Sequence, residues 1–272
     1  MQHQEFESPE ALRDSIRCFW YERKEFKEQR ADFEVEPDGY AEIIFYFGSS
    51  CSVSVNGNFN VLPSPFLMGL LDKPVRFYIE KKIEIIGIRC FPWTVFDLLG
   101  LPSGKDGVSV LQHPIAQLQS GLQACIHAGK IDEAIAKVKE YFLSVRSNVS
   151  ADSMLFKAGI ALRKANGAVP VSEIAAAAHT TVRTLERKFK QSSGHTVKDV
   201  AGLMRFEQVR NQLWLHPDSN IAGLAHELGY TDQSHLSREF KRYCGITPAA
   251  FARKIKKNKQ AVGDDFVVFI QS

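Results

Sequence analysis

At 272 residues, 44% hydrophobic and 24% charged, the chain has ordinary globular composition and length for two domains, which argues against a disordered or low-complexity protein. Its net charge of +3 hides an asymmetry: residues 1–149 carry 16 Lys+Arg against 20 Asp+Glu, whereas residues 150–260 carry 18 against 9. A basic half following an acidic one is the electrostatic footprint of a polyanion binder.

The five cysteines (Cys18, Cys51, Cys90, Cys125 and Cys244) are odd in number and form no C-x-x-C pair. That argues against a disulfide framework or a zinc site and fits a reducing cytoplasm. The first residues show no basic and apolar signal pattern, and no apolar run approaches the ~20 residues of a membrane span. A cytoplasmic protein with no membrane partner is expected.

Residues 8–30 mix an amphipathic start (Leu12, Ile16, Phe19, Trp20) with a charged stretch from Glu22 to Arg30, read as a solvated strand or turn. From residue 33 the texture is β. Pro37-Asp38-Gly39 signals a turn before the apolar run 43–47. Residues 52–61 alternate on both sides of Asn56-Gly57, which predicts a hairpin. Val75, Phe77 and Ile79 alternate next, Lys81-Lys82 reads as a turn, and residues 83–88 as a further strand. Short strands at such intervals suggest a small β-barrel or sandwich. Aromatics such as Tyr46, Phe47, Phe77 and Trp93 fit its core, or the walls of a pocket.

After Pro92 the pattern becomes helical, over 93–99, 114–127 and 131–145. The last two carry apolar stripes (Ile115, Leu118, Leu122, Ile126; Ile131, Ile135, Val138, Phe142) with a break near Gly129. Such a pair packs on the β unit or joins two copies of the chain. Residues 146–152 are polar and read as a linker.

The basic half opens with a helix at about 153–165. Residues 171–178 and 181–191 form a helical pair, with Thr181 as N-cap and Leu185 and Phe189 inward. A long helix covers 196–214, and at about 1.5 Å per residue it spans about 28 Å. Ile221, Leu224, Ala225 and Leu228 mark the next helix, which Gly229 closes. Asp232 caps another, with Leu236, Phe240 and Tyr243 inward. Thr247-Pro248 starts a closing helix bearing Arg253, Lys254, Lys256 and Lys257, and a short apolar tail follows from about 258 to 272.

The two pairs repeat. Leu185-Glu-Arg187-Lys-Phe189-Lys190 recurs as Leu236-Ser-Arg238-Glu-Phe240-Lys241 at an offset of 51, as does Gly194-His-Thr196 in Gly245-Ile-Thr247. Ile174-Ala175 matches Leu224-Ala225 at an offset of 50, so the second turn holds one extra residue. Two helices around a turn, the second with a polar and basic outer face, describe a helix-turn-helix, here twice.

Residues 155–255 resemble the DNA-binding domain of the AraC/XylS family of transcription regulators. Gly229-Tyr-x-Asp232-x-Ser234-His-x-x-Arg238-x-Phe240-Lys241-x-x-x-Gly245-x-Thr247-Pro248 is close to that family's C-terminal signature. The chain departs from it in the first turn, Ala178-His179-Thr180-Thr181, which lacks the usual glycine, and at Phe251-Ala252-Arg253. Pro37-Asp38-Gly39 and the segment 87–92 resemble, more faintly, the β-rich sensory half found before many such domains. The resemblance implies contact with RNA polymerase and base-facing positions on both recognition helices.

The expected fold is α+β. A small β-barrel or sandwich, cupin-like and with flanking helices, occupies 1–147. An all-α domain with two helix-turn-helix motifs on a long helix occupies 153–257, and 258–272 form a tail. The expected function is sequence-specific binding of double-stranded DNA, with the two recognition helices in adjacent major grooves. Arginine can pair with guanine, glutamine with adenine and glutamate with cytosine, while lysines hold phosphates. The candidate contacts are Arg183, Glu186, Arg187 and Lys190 in the first helix and Gln233, Ser234, Ser237, Arg238 and Lys241 in the second. The β unit is expected to sense a small-molecule effector, to form a homodimer, or both; the alternatives are a unit for protein contacts alone, or a cupin-like enzyme with a DNA-binding appendage. Against the enzyme, residues 33–91 contain no histidine for a metal cluster. His226, His235 and Cys244 read as surface or capping residues, and neither a phosphate loop nor a nucleophile elbow is present. No catalytic residue, metal or cofactor is expected.

Overall fold

The computed structural model describes residues 2–55, 57–102, 107–146 and 153–262. The spine of the first half is the strand β7 (Val75–Cys90). One of its edges pairs with β2 (Ile16–Val35). The other edge pairs with β4 (Cys51–Val55) and, further along, with β3 (Ala41–Gly48). β1 (Gln2–Glu7) extends the sheet beyond β2, β5 (Asn58–Leu62) pairs with β4, and β6 (Phe66–Met68) and β8 (Val108–Val110) continue past β3. Every one of these pairings is antiparallel. The ends of the path, β1 and β8, are not paired with each other, so the sheet is open and sandwich-like where a barrel was one of the expected forms.

Three readings of this half are corrected. Strand structure begins at residue 2, well before 33. Lys81-Lys82 does not separate two strands: Lys81 takes φ +56 within a continuous β7, opposite a register shift between Glu25 and Arg30 in β2. A bulge of this kind bends paired strands while keeping the ladder. The stretch from Glu22 is not wholly solvated either, because Glu22 is buried beside Lys24 Nζ, at 2.8 Å, and His3.

Period-two alternation gives the sheet two apolar faces. Phe19, Tyr21, Ile43, Phe45, Ile86 and Ile88 face a helical layer, α2 (Leu118–His127) and α3 (Ile131–Arg146), through Leu122, Ile126, Ile135, Val138 and Phe142. The helix pair thus packs on the sheet, as one of its two readings had it. Trp20, Ile44, Phe66, Phe77 and Ile85 share the opposite face. There Tyr46 and Phe77 border a cavity, whereas Phe47 lies in the helix-facing core.

The second half is helical: α4 (Met154–Lys164), α5 (Val171–Ala177), α6 (Val182–Ser193), α7 (Val197–Leu215), α8 (Ile221–Glu227), α9 (Gln233–Cys244) and α10 (Pro248–Val262). Helix α10 carries through 258–262, where the tail was expected to begin; residues 263–272 lie outside the described residues, as do 147–152 of the expected linker. The core of these helices is completed by Leu70, Phe91 and Trp93 from the first half. Trp93 precedes the short helix α1 (Thr94–Leu99) and stacks on Phe91 at 5.6 Å.

Candidate DNA interface

Local chemistry starts each recognition helix. Thr181 takes an extended conformation before α6 and its hydroxyl accepts from the Thr184 amide at 3.2 Å. Asp232 does the same for α9, accepting from the His235 amide at 2.7 Å. Each helix ends on a left-handed glycine, Gly194 or Gly245. Leu185, Phe189, Leu236 and Phe240 are fully buried, so both helices are anchored by the same two positions of the repeat.

The missing glycine of the first turn leaves its geometry intact. His179 occupies the repeat position of Gly229 and adopts φ +50, against +74 for the glycine. The first motif therefore bends as the second does, with a side chain where the left-handed region disfavours one.

Arg183, Arg187, Lys190, Arg238 and Lys241 are exposed, as are Gln233 and Ser234; Ser237 and Glu186 are partly buried. None of the five cations forms an ion pair with a described residue. Their basic neighbours do: Arg205 Nη2 lies 3.1 Å from both carboxylate oxygens of Glu239, and Arg242 Nη2 lies 3.4 Å from Asp199. Carboxylates thus neutralise the arginines beside the helix–helix contacts and leave the outer faces of α6 and α9 positive. Glu186 departs from its expected role. Its Oε2 accepts from the Val197 amide at 3.1 Å, so that carboxylate holds the start of α7 in place of presenting itself to cytosine.

Val182 was missed in the sequence. It is the repeat counterpart of Gln233 and is 43% exposed at the first turn of α6. An exposed apolar side chain there suits a thymine methyl group; reading the offset of 51 through every position would have found it. Of the other residues singled out, His226 is exposed, whereas Cys244 is buried and is no surface residue.

Helix α7 holds the motifs together. It begins with a capping box, Thr196 Oγ1 accepting from the Asp199 amide while Asp199 Oδ2 accepts from the Thr196 amide. Its buried positions include Val197, Val200, Phe206, Val209, Arg210 and Leu213. Those residues point in several directions around the helix, so α7 is covered on more than one side. A Cβ on Gly202 would meet the Tyr243 hydroxyl and Glu239 at about 3 Å, which fixes how closely α9 approaches.

The turn 37–39 of the first half also rests on α7. Arg210 Nη1 donates to the Pro37 carbonyl at 2.9 Å, and Gly39 lies against Leu203 and Glu207. Between these flanking residues, Asp38 binds the Arg89 guanidinium and accepts from the Tyr40 amide. Arg89 also lies 3.5 Å from Glu42, its cross-strand neighbour. Arg89, Asp38 and Glu42 line the cavity on the inner face of the sheet. Burial raises the Glu207 carboxyl to about 7, with Arg89 and Arg210 pulling the other way. Glu42 and Arg89 could have been suspected from sequence, since each interrupts an otherwise apolar strand end.

Two similar helices on one connecting helix, with outward cations that form no ion pair among the described residues, make up a double helix-turn-helix. Residues 174–254 match a family model described as a helix-turn-helix domain, and residues 4–105 match one described as a domain of unknown function (DUF6597). Among curated proteins, it is similar to the transcriptional activator RhaS of Klebsiella pneumoniae, 30% identical over 90 residues that cover 33% of this chain and 31% of that protein. The transcriptional regulator RipA of Corynebacterium diphtheriae is 34% identical over 82 residues, covering 30% of this chain and 24% of its own. The chain spans between 19% and 31% of the length of the curated relatives it matches. Among solved structures, ToxT from Vibrio cholerae O395 aligns over 87% of this chain and 98% of its own, at 12% identity and a TM-score of 0.46.

Proposed function

We propose that this protein is a sequence-specific, DNA-binding transcription regulator of AraC/XylS type and not an enzyme. In this reading α6 and α9 enter adjacent major grooves of one duplex, Arg183, Arg187, Gln233, Ser234 and Arg238 read bases, and Lys190 and Lys241 hold phosphates. The single observation that carries it is the set of five outward cations, without ion-pair partners among the described residues, on two helices repeated in sequence and anchored alike. A 19-residue α7 rises about 28 Å at 1.5 Å per residue, against the ~34 Å between successive groove faces.

The sheet unit, 1–147, acts as the sensor of a small molecule. Its cavity, lined by apolar side chains with a few convergent polar groups, favours this over a unit for protein contacts alone. The remaining parts of the reading are cytoplasmic location, formation of a homodimer and contact with RNA polymerase. No helix among the described residues is long and apolar enough to cross a membrane.

The test is selection of duplexes from a random-sequence library by the full chain at low salt. Two short motifs about 10 base pairs apart are expected among the selected sequences, with Arg238→Ala degrading one and Arg183→Ala the other. Absence of duplex binding at low salt, or one motif insensitive to either change, overturns the reading.

A further inference from the structure

Between Glu42 and Asp72 the sequence holds no Asp, Glu, Lys or Arg, in a chain that is 24% charged. Within that stretch lies the hairpin of β4 and β5, and β5 is a free edge of the sheet: among the described residues it pairs with β4 alone. Folded proteins guard such edges with charged side chains, a proline or a bulge, because an open ladder recruits other chains. Residues 58–62 have none of these. The two ends of the strand path differ from it, since β1 carries Glu5 and Glu7 and β8 is only three residues long.

What β5 presents matches a copy of itself. Its pairing places Phe59 opposite Ser54 and Val61 opposite Ser52, on the face that Tyr78 of β7 shares. There Phe59 is 51% exposed, and Val61, at 67%, is the most exposed large apolar residue among those described. Phe59 is nonetheless held in place, its ring centroid 3.9 Å from that of Tyr78. Val55 and Asn58 face each other where the hairpin closes. The closing pair of a two-residue turn is hydrogen-bonded, and along an antiparallel ladder bonded and non-bonded pairs alternate. Asn58, Asn60 and Leu62 therefore turn their backbone groups toward β4, while Phe59 and Val61 turn N–H and C=O outward.

We propose that β5 is the interface of a homodimer, pairing antiparallel with β5 of a second copy about a two-fold axis at Asn60. This rests on the homodimer reading above and gives it a surface. In that register Phe59 faces the partner's Val61, and Val61 faces the partner's Phe59. Both are hydrogen-bonded pairs, so the outward backbone groups of each chain are met by those of the other. The exposed apolar side chains of both copies come together on one face, aromatic against β-branched, a pairing that stabilises antiparallel strands. Asn60 meets the partner's Asn60 on the opposite face, where each amide can donate to and accept from the other. No like charges are brought together, because the strand has no charge. The contact is isologous and uses up both edges, so assembly stops at two chains. A strand from an unrelated protein would have no need of this symmetry, which is why a second copy is the occupant that fits.

The test is sedimentation of the full chain over a concentration series, in which the parent should reach a dimer. Asn60→Lys sets like charges on the axis and should raise the dissociation constant about tenfold or more, as should Asn60→Asp. An equimolar mixture of the two variants should recover the parent value. Asn60 is exposed, so neither change threatens the fold. Asn60→Cys gives an independent measurement. Facing residues of a non-hydrogen-bonded pair lie about 4.5 Å apart at Cα, within disulfide range, so mild oxidation should yield a covalent dimer. The native cysteines are all buried and should stay silent. Asn58→Cys, about 14 Å from its own copy in this register, should not cross-link. A dimer that neither charge weakens, a mixture that stays weak, or cross-linking through Asn58→Cys in place of Asn60→Cys overturns the interface and leaves the homodimer reading standing. A parent that is monomeric at every concentration overturns both.

Discussion

The ring of Trp93 lies on the backbone of Gly159, so close that a Cβ there would sit 2.1 Å from Cε2 of the indole. Trp93 precedes α1 of the first half and Gly159 is in the middle of α4, the first helix of the second, so this contact is one of the places where the halves meet. Phe91 stacks on the same indole, and Phe189 of the first recognition helix lies 6.2 Å from it, ring to ring. One tryptophan therefore touches the sheet unit, the opening helix and the anchor of α6.

Gly159→Ala should loosen this junction. The helix tolerates alanine better than glycine, so any loss reflects the clash with Trp93, and overpacking of this kind costs about 1–3 kcal/mol. Thermal unfolding should show a lower midpoint, with increased proteolysis between the halves. A midpoint raised by the substitution would show that the indole moves aside without cost.

Arg183→Ala and Lys190→Ala should separate base reading from phosphate holding. Loss of Arg183 should weaken binding to the selected duplex by about 1–3 kcal/mol and relax preference at one base pair. Loss of Lys190 should lower affinity for all duplexes and reduce the slope of log K against log salt by about one. Titrations on selected and random duplex at several salt concentrations make the comparison, and identical behaviour of the two variants would refute the division.

His179→Gly should stabilise the protein. Its φ of +50 is unfavourable for a side chain, and relieving it should contribute about 0.5–1 kcal/mol after the added entropy of glycine in the unfolded chain. Gly229→Ala should act in the opposite direction, since its φ is +74 and a Cβ would lie 2.8 Å from that of Ala168. Denaturant midpoints of the two variants decide the matter.

His3 ties β1 to the sheet and should make stability depend on pH. Hydrogen bonding to Glu22, then to Glu5, raises it from 6.5 to about 9 against the opposing effect of burial. A folded-state value above the unfolded one means the contribution is fully present below pH 6.5 and lost as pH rises through about 9. Melting of the parent and of His3→Ala at pH 6 and pH 9.5 should therefore differ more at the lower value. An equal gap at both would exclude the linkage.

The helical half was legible because its signals are local. Caps at Thr181, Thr196 and Asp232, the glycines at 194, 229 and 245, and apolar spacing of three and four residues each act within a turn or two of chain. The sheet was read less well. Strand β1 is short and mostly exposed, and the charged run in β2 conceals a buried Glu22 held by Lys24 two residues on and by His3 across the strand pair. Glu186 illustrates the same limit: its spacing places it at the edge of the outer face, and the amide of Val197, eleven residues away, draws its carboxylate elsewhere.

By itself, the sequence determined that two like helix-turn-helix motifs share one connecting helix and that the half bearing them is basic, since both depend on residue order and local hydrogen bonding. Tertiary structure decided which cations lack ion pairs among the described residues, how Trp93 and the turn 37–39 seat the sheet unit on the helices, and that Asp38 and Glu42 share the buried Arg89. Those features depend on side chains distant in sequence coming within a few ångströms, and burial then sets their charge and hydrogen-bonding needs.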